Sequence, residues 1–188
     1  MMFEFPNAKL KTGIATESVK AIGLQTLHEV AHWVWRLPYG RTQDRANYLL
    51  IPKEQKGACS GKHALIAKVA EETEVPLFLT VGIFMMNQEN TPGIKSILSD
   101  AGLESIPEAH CFLTFNNLKY DFTSYQHGNF PIPKMKFLAE ERISPAQIGA
   151  YKIQIHRRWV ERWAVETKQP LTLDELWNIR ETCIEALA

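Results

Sequence analysis

Residues 109–123 read Ala109-His110-Cys111-Phe112-Leu113-Thr114-Phe115-Asn116-Asn117-Leu118-Lys119-Tyr120-Asp121-Phe122-Thr123. Side chains along a strand point alternately to its two faces. The residues that share one apolar face are Cys111, Leu113, Phe115, Tyr120 and Phe122. The two central asparagines suit the positive φ values of a tight hairpin turn. The stretch therefore predicts two antiparallel strands, with Leu113 opposite Tyr120 on the face that packs against the core.

The opposite face of the predicted hairpin carries a histidine and an aspartate. Phe112 is directly opposite Asp121 in this register, so His110 lies diagonal to the carboxylate, at a backbone separation of ~7–8 Å that side chains can bridge. A slip of one residue would put the two side chains on opposite faces. An imidazole oriented by a carboxylate is the arrangement that activates a nucleophile. The alternative interpretation is a polar hairpin face with a stray histidine.

A second stretch, Gly57-Ala58-Cys59-Ser60-Gly61-Lys62-His63-Ala64-Leu65, places a thiol where a loop becomes a helix. The unpaired N–H groups of a helix N-terminus stabilise a thiolate and can hold the oxyanion of a tetrahedral intermediate. Cys59 is therefore the candidate nucleophile, and a small buried apolar residue is the alternative. His63 is within reach of Cys59 along the helix. It is interpreted as a packed or capping histidine, because a base needs an orienting group of its own.

The rest of the chain is mostly helical by its apolar periodicity. The predicted helices span residues 17–36, 59–74, 94–100, 144–166 and the segment that begins with a capping box at Thr172. Residues 77–86 predict a buried strand, and residues 126–133, with their prolines and glycine, predict an irregular surface connection. Long helices around a few strands that are adjacent in sequence are typical of an α+β fold.

Composition restricts the class of protein. The chain has 188 residues, 45% of them hydrophobic, and 21 basic side chains balance 21 acidic ones. This length fits a single domain over residues 1–188, and the apolar content argues against intrinsic disorder. Nucleic-acid-binding proteins typically have an excess of basic over acidic residues, whereas the net charge of this chain is zero. We therefore expect no nucleic-acid partner. Three widely spaced cysteines indicate neither a disulfide framework nor a zinc ribbon.

Neither a membrane span nor a secretion signal is recognised in the sequence. The longest apolar stretch, residues 75–86, is shorter than the ~20 residues that a spanning helix needs. The first residues lack the basic-then-apolar pattern of a cleaved signal. We therefore expect a cytoplasmic protein without a membrane partner.

Taken in chain order, these motifs resemble a known superfamily. A cysteine that starts a buried helix, a histidine on one strand and an aspartate on the next look like the transglutaminase-like branch of the papain-like fold. The resemblance covers about residues 57–123 and rests on Gly57-Ala58-Cys59, on His110 and on Tyr120-Asp121-Phe122-Thr123. The flanking segments, particularly residues 37–41 and the last two helices, look like those of a small bacterial family.

The resemblance implies a domain in which the helix that carries Cys59 packs on a small antiparallel sheet, with additional C-terminal helices. It implies Cys59 as nucleophile, His110 as base and Asp121 as orienting acid. The reaction would be acyl transfer from an amide, peptide or ester to water or an amine, without a cofactor. Its substrate, a small molecule or a peptide, is not encoded in these motifs. The tryptophan that often flanks the nucleophile is absent, so Gln55 is the candidate oxyanion donor by proximity alone.

Two other classes of protein stay open. The superfamily contains members that have lost catalysis, so a non-catalytic binding protein with this fold is one alternative. The other is a zinc hydrolase, because His28-Glu29-Val30-Ala31-His32 matches the H-E-x-x-H pattern, with both histidines as ligands and Glu29 as base. The apolar arc of this predicted helix centres near Leu27 and Val34, away from both histidines, which disfavours a zinc site.

Overall fold

The computed structural model of the protein describes residues 3–125 and 136–187, which form an α+β fold. The helices in these ranges are α1 (Ile14–Lys20), α2 (Leu27–Arg36), α3 (Ile51–Glu54), α4 (Cys59–Glu72), α5 (Lys95–Asp100), α6 (Ala150–Glu166) and α7 (Leu173–Glu185). The strands are β1 (Phe78–Met86), β2 (Ile106–Phe115), β3 (Leu118–Tyr120) and β4 (Ala139–Arg142). The connection expected at residues 126–133 lies outside the described residues. Among the residues described, no helix combines the length and the apolar character needed to cross a membrane.

The strands form an antiparallel sheet in the order β3-β2-β1-β4. The β2–β3 hairpin turns at Asn116-Asn117, whose φ values of 46° and 66° are those that a tight turn of this kind requires. Leu113 pairs with Tyr120, as the sequence predicts. Because β3 ends at Tyr120, Asp121 lies one residue beyond the strand, at the edge of the sheet.

The helix that begins at Cys59 is central to the core. Residues 62–67 of α4 are all buried, because neighbouring elements cover every side of this part of the helix. One cluster of buried side chains joins α4 to α2 and to the face of β1 that carries Leu79, Val81 and Ile83. A second cluster joins the other end of β1 to α5, α6 and α7. The start of α4 is therefore held between the sheet and the C-terminal helices.

The prediction of one continuous helix over residues 17–36 is wrong, because the chain forms α1 and α2 with a break at 21–26. Gly23 in this break has a φ of 93°, a left-handed conformation that glycine adopts without strain. Thr26 then starts α2 with a capping box. Its hydroxyl accepts the N–H of Glu29, and the Glu29 carboxylate accepts the N–H of Thr26. The turn at Gly23 and the capping box at Thr26 therefore divide this segment into two helices, although its apolar periodicity is continuous.

Gly82 lies in the middle of β1 and pairs with His110 of β2. A Cβ atom on this glycine would lie 2.4 Å from the ring of Phe137, far inside van der Waals contact. Phe137 also stacks on Phe112, with ring centroids 4.9 Å apart. The missing side chain at Gly82 therefore lets an aromatic ring cover the sheet at the position paired with His110.

Candidate active site

The candidate nucleophile lies at the N-terminal end of α4. Cys59 is the first helical residue, and the preceding Ala58 has no side chain that can cap the N–H groups of the first turn. The first hydrogen bond within the helix runs from the N–H of Lys62 to the Ala58 carbonyl. The start of α4 therefore combines a half-buried thiol with uncapped N–H groups, the kind of donor that holds an oxyanion.

His110 and Asp121 are in direct contact, as the hairpin pattern predicts. Nε2–H of His110 donates to Oδ2 of Asp121 at 2.9 Å, and Oδ1 of the same carboxylate accepts the N–H of Thr123 at 2.8 Å. Burial lowers the pKa of His110, but the charges of Asp121 and Cys59 hold it well above its ordinary value. Burial likewise raises the pKa of Asp121, and the attraction of His110 holds it well below its usual range. The carboxylate thus both orients and charges the imidazole.

The thiol of Cys59 is polarised by charges from two elements. Burial by itself raises its pKa, but the charges of Lys152 and His110, with hydrogen bonds from the His110 side chain and the Cys111 N–H, lower it to about 6. The raised pKa of His110 and the lowered pKa of Cys59 together favour a thiolate–imidazolium pair near neutral pH. A thiolate is the nucleophilic form of cysteine. Cys59, His110 and Asp121 therefore lie in one connected site.

His63 links the first turn of α4 to the strand end that carries the aspartate. Its side chain is fully buried, with Nδ1 2.7 Å from the Cys59 carbonyl and Nε2 accepting the N–H of Phe122 at 2.7 Å. An acceptor at Nε2 leaves the ring proton on Nδ1, so the imidazole is neutral. Burial lowers its pKa to about 4, which keeps it neutral at physiological pH. His63 therefore positions Cys59 and the chain next to Asp121, in agreement with its interpretation as a packed histidine.

Lys62 is a buried cation that holds two loops against α4. Its ammonium donates to the Leu37 carbonyl at 2.6 Å and to the Thr123 carbonyl at 2.8 Å. Burial lowers its pKa to about 8, although the charges of Asp121 and Cys59 act in the opposite direction. The segment after α2 and the segment after β3 are thus fixed beside the thiol by one side chain.

A cavity of about 80 Å³ opens beside the thiol, between α4, β2, α6 and α7. Lys152 from α6 reaches into it and donates to the Ser60 hydroxyl at 2.9 Å. Glu108 of β2 and Arg180 of α7 form a buried, two-pronged ion pair in its wall. Next to this pair, His156 lies 2.8 Å from the Pro107 carbonyl, and burial lowers its pKa to about 4. The cavity is therefore lined by charged groups that lie outside the sequence motifs around Cys59, His110 and Asp121.

The buried charged residues of α6 and α7 could have been found from the helical periodicity of the sequence. Lys152, His156 and Val160 follow each other at four-residue spacing in α6 and are all buried. In α7, Arg180 is likewise buried on the stripe that includes Leu176. A polar residue on the apolar stripe of an amphipathic helix is costly to bury without a partner, so it marks a site where charged groups meet.

Gln55 does not supply an oxyanion donor in this structure. Its side chain is exposed, its backbone is left-handed with a φ of 54°, and its amide donates to the Pro52 carbonyl at 2.6 Å. The Gln55 side chain folds back onto the last turn of α3, because the helix ends at this residue. The uncapped N–H groups at the start of α4 belong to the same helical turn as the thiol.

The H-E-x-x-H motif has a structural explanation. Glu29 is the capping-box carboxylate of α2, and it accepts the N–H groups of Gln25 and Thr26. Nε2 of His28 lies 2.8 Å from the Phe5 carbonyl, and the ring of His32 packs on Phe3 with centroids 4.8 Å apart. Residues 3–125 and 136–187 contain no group of three or more metal-ligating side chains placed to hold an ion. The motif thus caps a helix and packs against the N-terminal segment.

Comparison with known proteins identifies no relative. No family model matches the chain, and neither does any curated protein or solved structure. What the site can do must therefore be inferred from its own contacts and charges.

Proposed function

We propose that the protein is a cysteine-nucleophile enzyme that transfers acyl groups, with Cys59 as nucleophile, His110 as acid and base, and Asp121 as the orienting carboxylate. The observation that carries the proposal is the 2.9 Å hydrogen bond between His110 Nε2 and Asp121 Oδ2, in a site where the pKa of Cys59 is lowered to about 6. A nucleophile beside a base that is itself oriented by a third group is the arrangement that nucleophilic catalysis uses.

The reaction proceeds through a thioester. The Cys59 thiolate attacks the carbonyl carbon of an amide or ester, and the N–H groups at the start of α4 stabilise the negative charge on the carbonyl oxygen. His110 donates its proton to the departing amine or alcohol as the carbon–heteroatom bond breaks. The neutral imidazole then takes a proton from water or an amine, which attacks the thioester and releases Cys59. Hydrolysis is the default outcome, because water is always present.

The fold supports a transglutaminase-like assignment. The helix that begins at Cys59, the strand that carries His110 and the strand end that carries Asp121 follow in that chain order. The helix packs against a small antiparallel sheet, with further helices at the C-terminus. This is the arrangement that the resemblance of residues 57–123 implies.

The proposal is tested by acylation and alkylation of the native protein. With p-nitrophenyl acetate, the parent should release p-nitrophenol and carry an acetyl group on the Cys59 peptide after acid quenching, whereas Cys59→Ala should release p-nitrophenol much more slowly. Iodoacetamide should label Cys59 with a pH midpoint near 6, while the buried Cys111 and Cys183 stay unlabelled until unfolding. Asp121→Asn keeps an acceptor for the Thr123 N–H but removes the charge beside His110, so it should slow labelling near neutral pH.

Two results would contradict the proposal. The first is a Cys59 labelling midpoint near that of a free thiol, about 8.5, which would remove the activated nucleophile. The second is failure of acetyl transfer to Cys59 in a protein whose thiol is activated. Either result favours the alternative of a binding protein that retains this fold.

A further inference from the structure

The cavity beside Cys59 carries more positive than negative side chains. Four cationic residues line it, against two carboxylates. The cations are Arg41, Arg45, Lys152 and Arg180, and the carboxylates are Glu108 and Glu181. Since His156 is neutral there, the carboxylates and the Cys59 thiolate of the wall balance only part of the positive charge. An excess of one sign in a concave, partly desolvated site attracts ligands of the opposite sign.

The hydrogen bonds show which of these cations are already paired with carboxylates of the protein and which could bind an anionic ligand. Arg180 directs Nε and Nη2 to Glu108 and Nη1 to Glu181. All three of its nitrogens are engaged by carboxylates that are themselves largely buried. Arg180 therefore belongs to the wall, because its charge is already paired with two carboxylates.

Arg41 and Arg45 share one carboxylate at the mouth of the cavity. Glu181 lies 2.7 Å from a nitrogen of Arg41 and 3.6 Å from a nitrogen of Arg45, in addition to its contact with Arg180. Glu185 approaches Arg41 only to 3.9 Å, is 70% exposed and does not line the cavity. The two arginines thus already hold a carboxylate in this mouth, with donors left over for a second one.

Lys152 is the buried cation at the inner end. It is 9% exposed, and its described hydrogen-bond acceptor is the neutral hydroxyl of Ser60. Among the described residues no carboxylate lies within ion-pair distance of its ammonium; Glu108 acts on this charge at longer range, and the other negative charge that the ammonium stabilises is the Cys59 thiolate. When Cys59 becomes a thioester that charge disappears, and Lys152 is left as a buried ammonium with two unused donors.

We propose that the acyl substrate of Cys59 carries an anionic group of the carboxylate type, a few bonds from the reacting carbonyl. Lys152 binds this group inside the cavity and restores the charge balance of the acyl-enzyme, while Arg41 and Arg45 attract it at the mouth. Because contacts of 2.9 and 3.9 Å join the Lys152 ammonium to the Cys59 sulfur through the Ser60 hydroxyl, only a short chain separates this group from the reacting carbonyl. The inference deepens the proposed function and rests on it.

The test compares two alkylating reagents of nearly equal size, iodoacetate and iodoacetamide, which differ in one negative charge. Both react with the same thiolate, so the ratio of their rates at Cys59 is independent of how much thiolate is present. The ratio is divided by the same ratio for the urea-unfolded chain, which removes the intrinsic difference between the reagents. We expect the normalised ratio of the iodoacetate rate to the iodoacetamide rate to be about five or more at low salt, and to fall as salt is added.

Matched variants assign the effect to the cavity. Arg45→Gln removes an arginine that is half exposed, and should lower the normalised ratio about threefold or more. Lys152→Met should lower the ratio further. Arg158→Gln, which removes an exposed charge outside the cavity, should leave the ratio unaltered.

The outcomes distinguish this inference from the proposed function. A normalised ratio of one or less in the parent, with fast iodoacetamide labelling, would overturn the anionic substrate and leave the nucleophile in place. An equal fall in Arg158→Gln and Arg45→Gln would overturn it too, since net charge rather than the cavity would then set the ratio. Slow labelling of Cys59 by both reagents would contradict the proposed function itself.

Discussion

Lys152 offers the sharpest test of how the thiol is activated, because it lies outside the predicted triad. Replacing it with Met removes a positive charge from the cavity while keeping the length and packing of the side chain. Two contacts, of 2.9 and 3.9 Å, connect the Lys152 ammonium to the Cys59 sulfur through the Ser60 hydroxyl. The substitution therefore removes a charge that lies close to the thiolate and is largely shielded from water.

The expected shift follows from Coulomb's law. A unit charge about 6 Å away, at an effective dielectric constant of about 20, contributes about 3 kcal/mol, or about two pKa units. The pKa of Cys59 should rise from about 6 towards about 8 in Lys152→Met. Because a higher pKa leaves less thiolate at neutral pH, labelling should slow by at least about tenfold near pH 6 and converge with the parent rate near pH 9.

The assay is the rate of iodoacetamide labelling as a function of pH, read by mass spectrometry of the peptide that contains Cys59. Lys152→Arg keeps the charge and should keep the midpoint close to the parent value. Lys95→Met, an exposed position in α5, is the control for loss of one lysine charge. At pH 7, Lys152→Met should lower the free energy of unfolding by about 1–2 kcal/mol, because the rise in the Cys59 pKa from about 6 towards about 8 removes the stabilisation that the thiolate gives to the folded state. An unchanged midpoint in a folded Lys152→Met protein would refute the reasoning.

Three further predictions concern packing, capping and pH. Gly82→Ala forces a Cβ against Phe137 and should lower the free energy of unfolding by about 1–3 kcal/mol in urea titration, with partial recovery when Phe137 is shortened to Leu. No loss in the single variant would contradict the packing. Glu29→Ala should cost about 1 kcal/mol in the same titration through loss of the capping box, with unchanged thiol labelling, whereas a labelling defect would reopen a functional role for the motif. His63 and His156 have folded pKa values of about 4 against 6.5 in the unfolded chain, so the unfolded state binds more protons as the pH falls through this window. As the pH is lowered from 6.5 to 4, the free energy of unfolding should therefore fall by at most about 2–3 kcal/mol per pH unit. A free energy of unfolding that does not change over this pH range would contradict the burial of both histidines in the neutral form.

The hairpin and its two catalytic candidates were predictable from the sequence. Alternation of side chains and a two-asparagine turn are local properties, and they determine both the Leu113–Tyr120 pairing and which residues share a face with His110. The contact between His110 and Asp121 follows from that register. The start of a helix at Cys59 is likewise local, since a glycine-containing loop precedes an apolar run.

The break between α1 and α2 shows where local reasoning was incomplete. The apolar period continues across residues 21–26, but a left-handed Gly23 and the reciprocal cap of Thr26 and Glu29 are better satisfied by two helices. The same cap explains why an H-E-x-x-H pattern is present without a third ligand beside it in the described residues. The Glu29 carboxylate fits both the capping-box motif and the H-E-x-x-H motif, and its hydrogen bonds to the N–H groups of Gln25 and Thr26 show that it acts as the cap.

The charged wall of the cavity was decided by tertiary structure alone. Lys152 lies more than ninety residues after Cys59 and meets it because α6 packs across the start of α4 and the sheet. Arg180 reaches Glu108 from α7 in the same way. A local pattern specifies which face of its own element a side chain occupies, whereas the energy of a buried charge depends on its distance from partners on other elements. The sequence by itself therefore determined where the candidate residues Cys59, His110 and Asp121 lie on their elements, and the packing of distant helices decided the charges that surround the thiol.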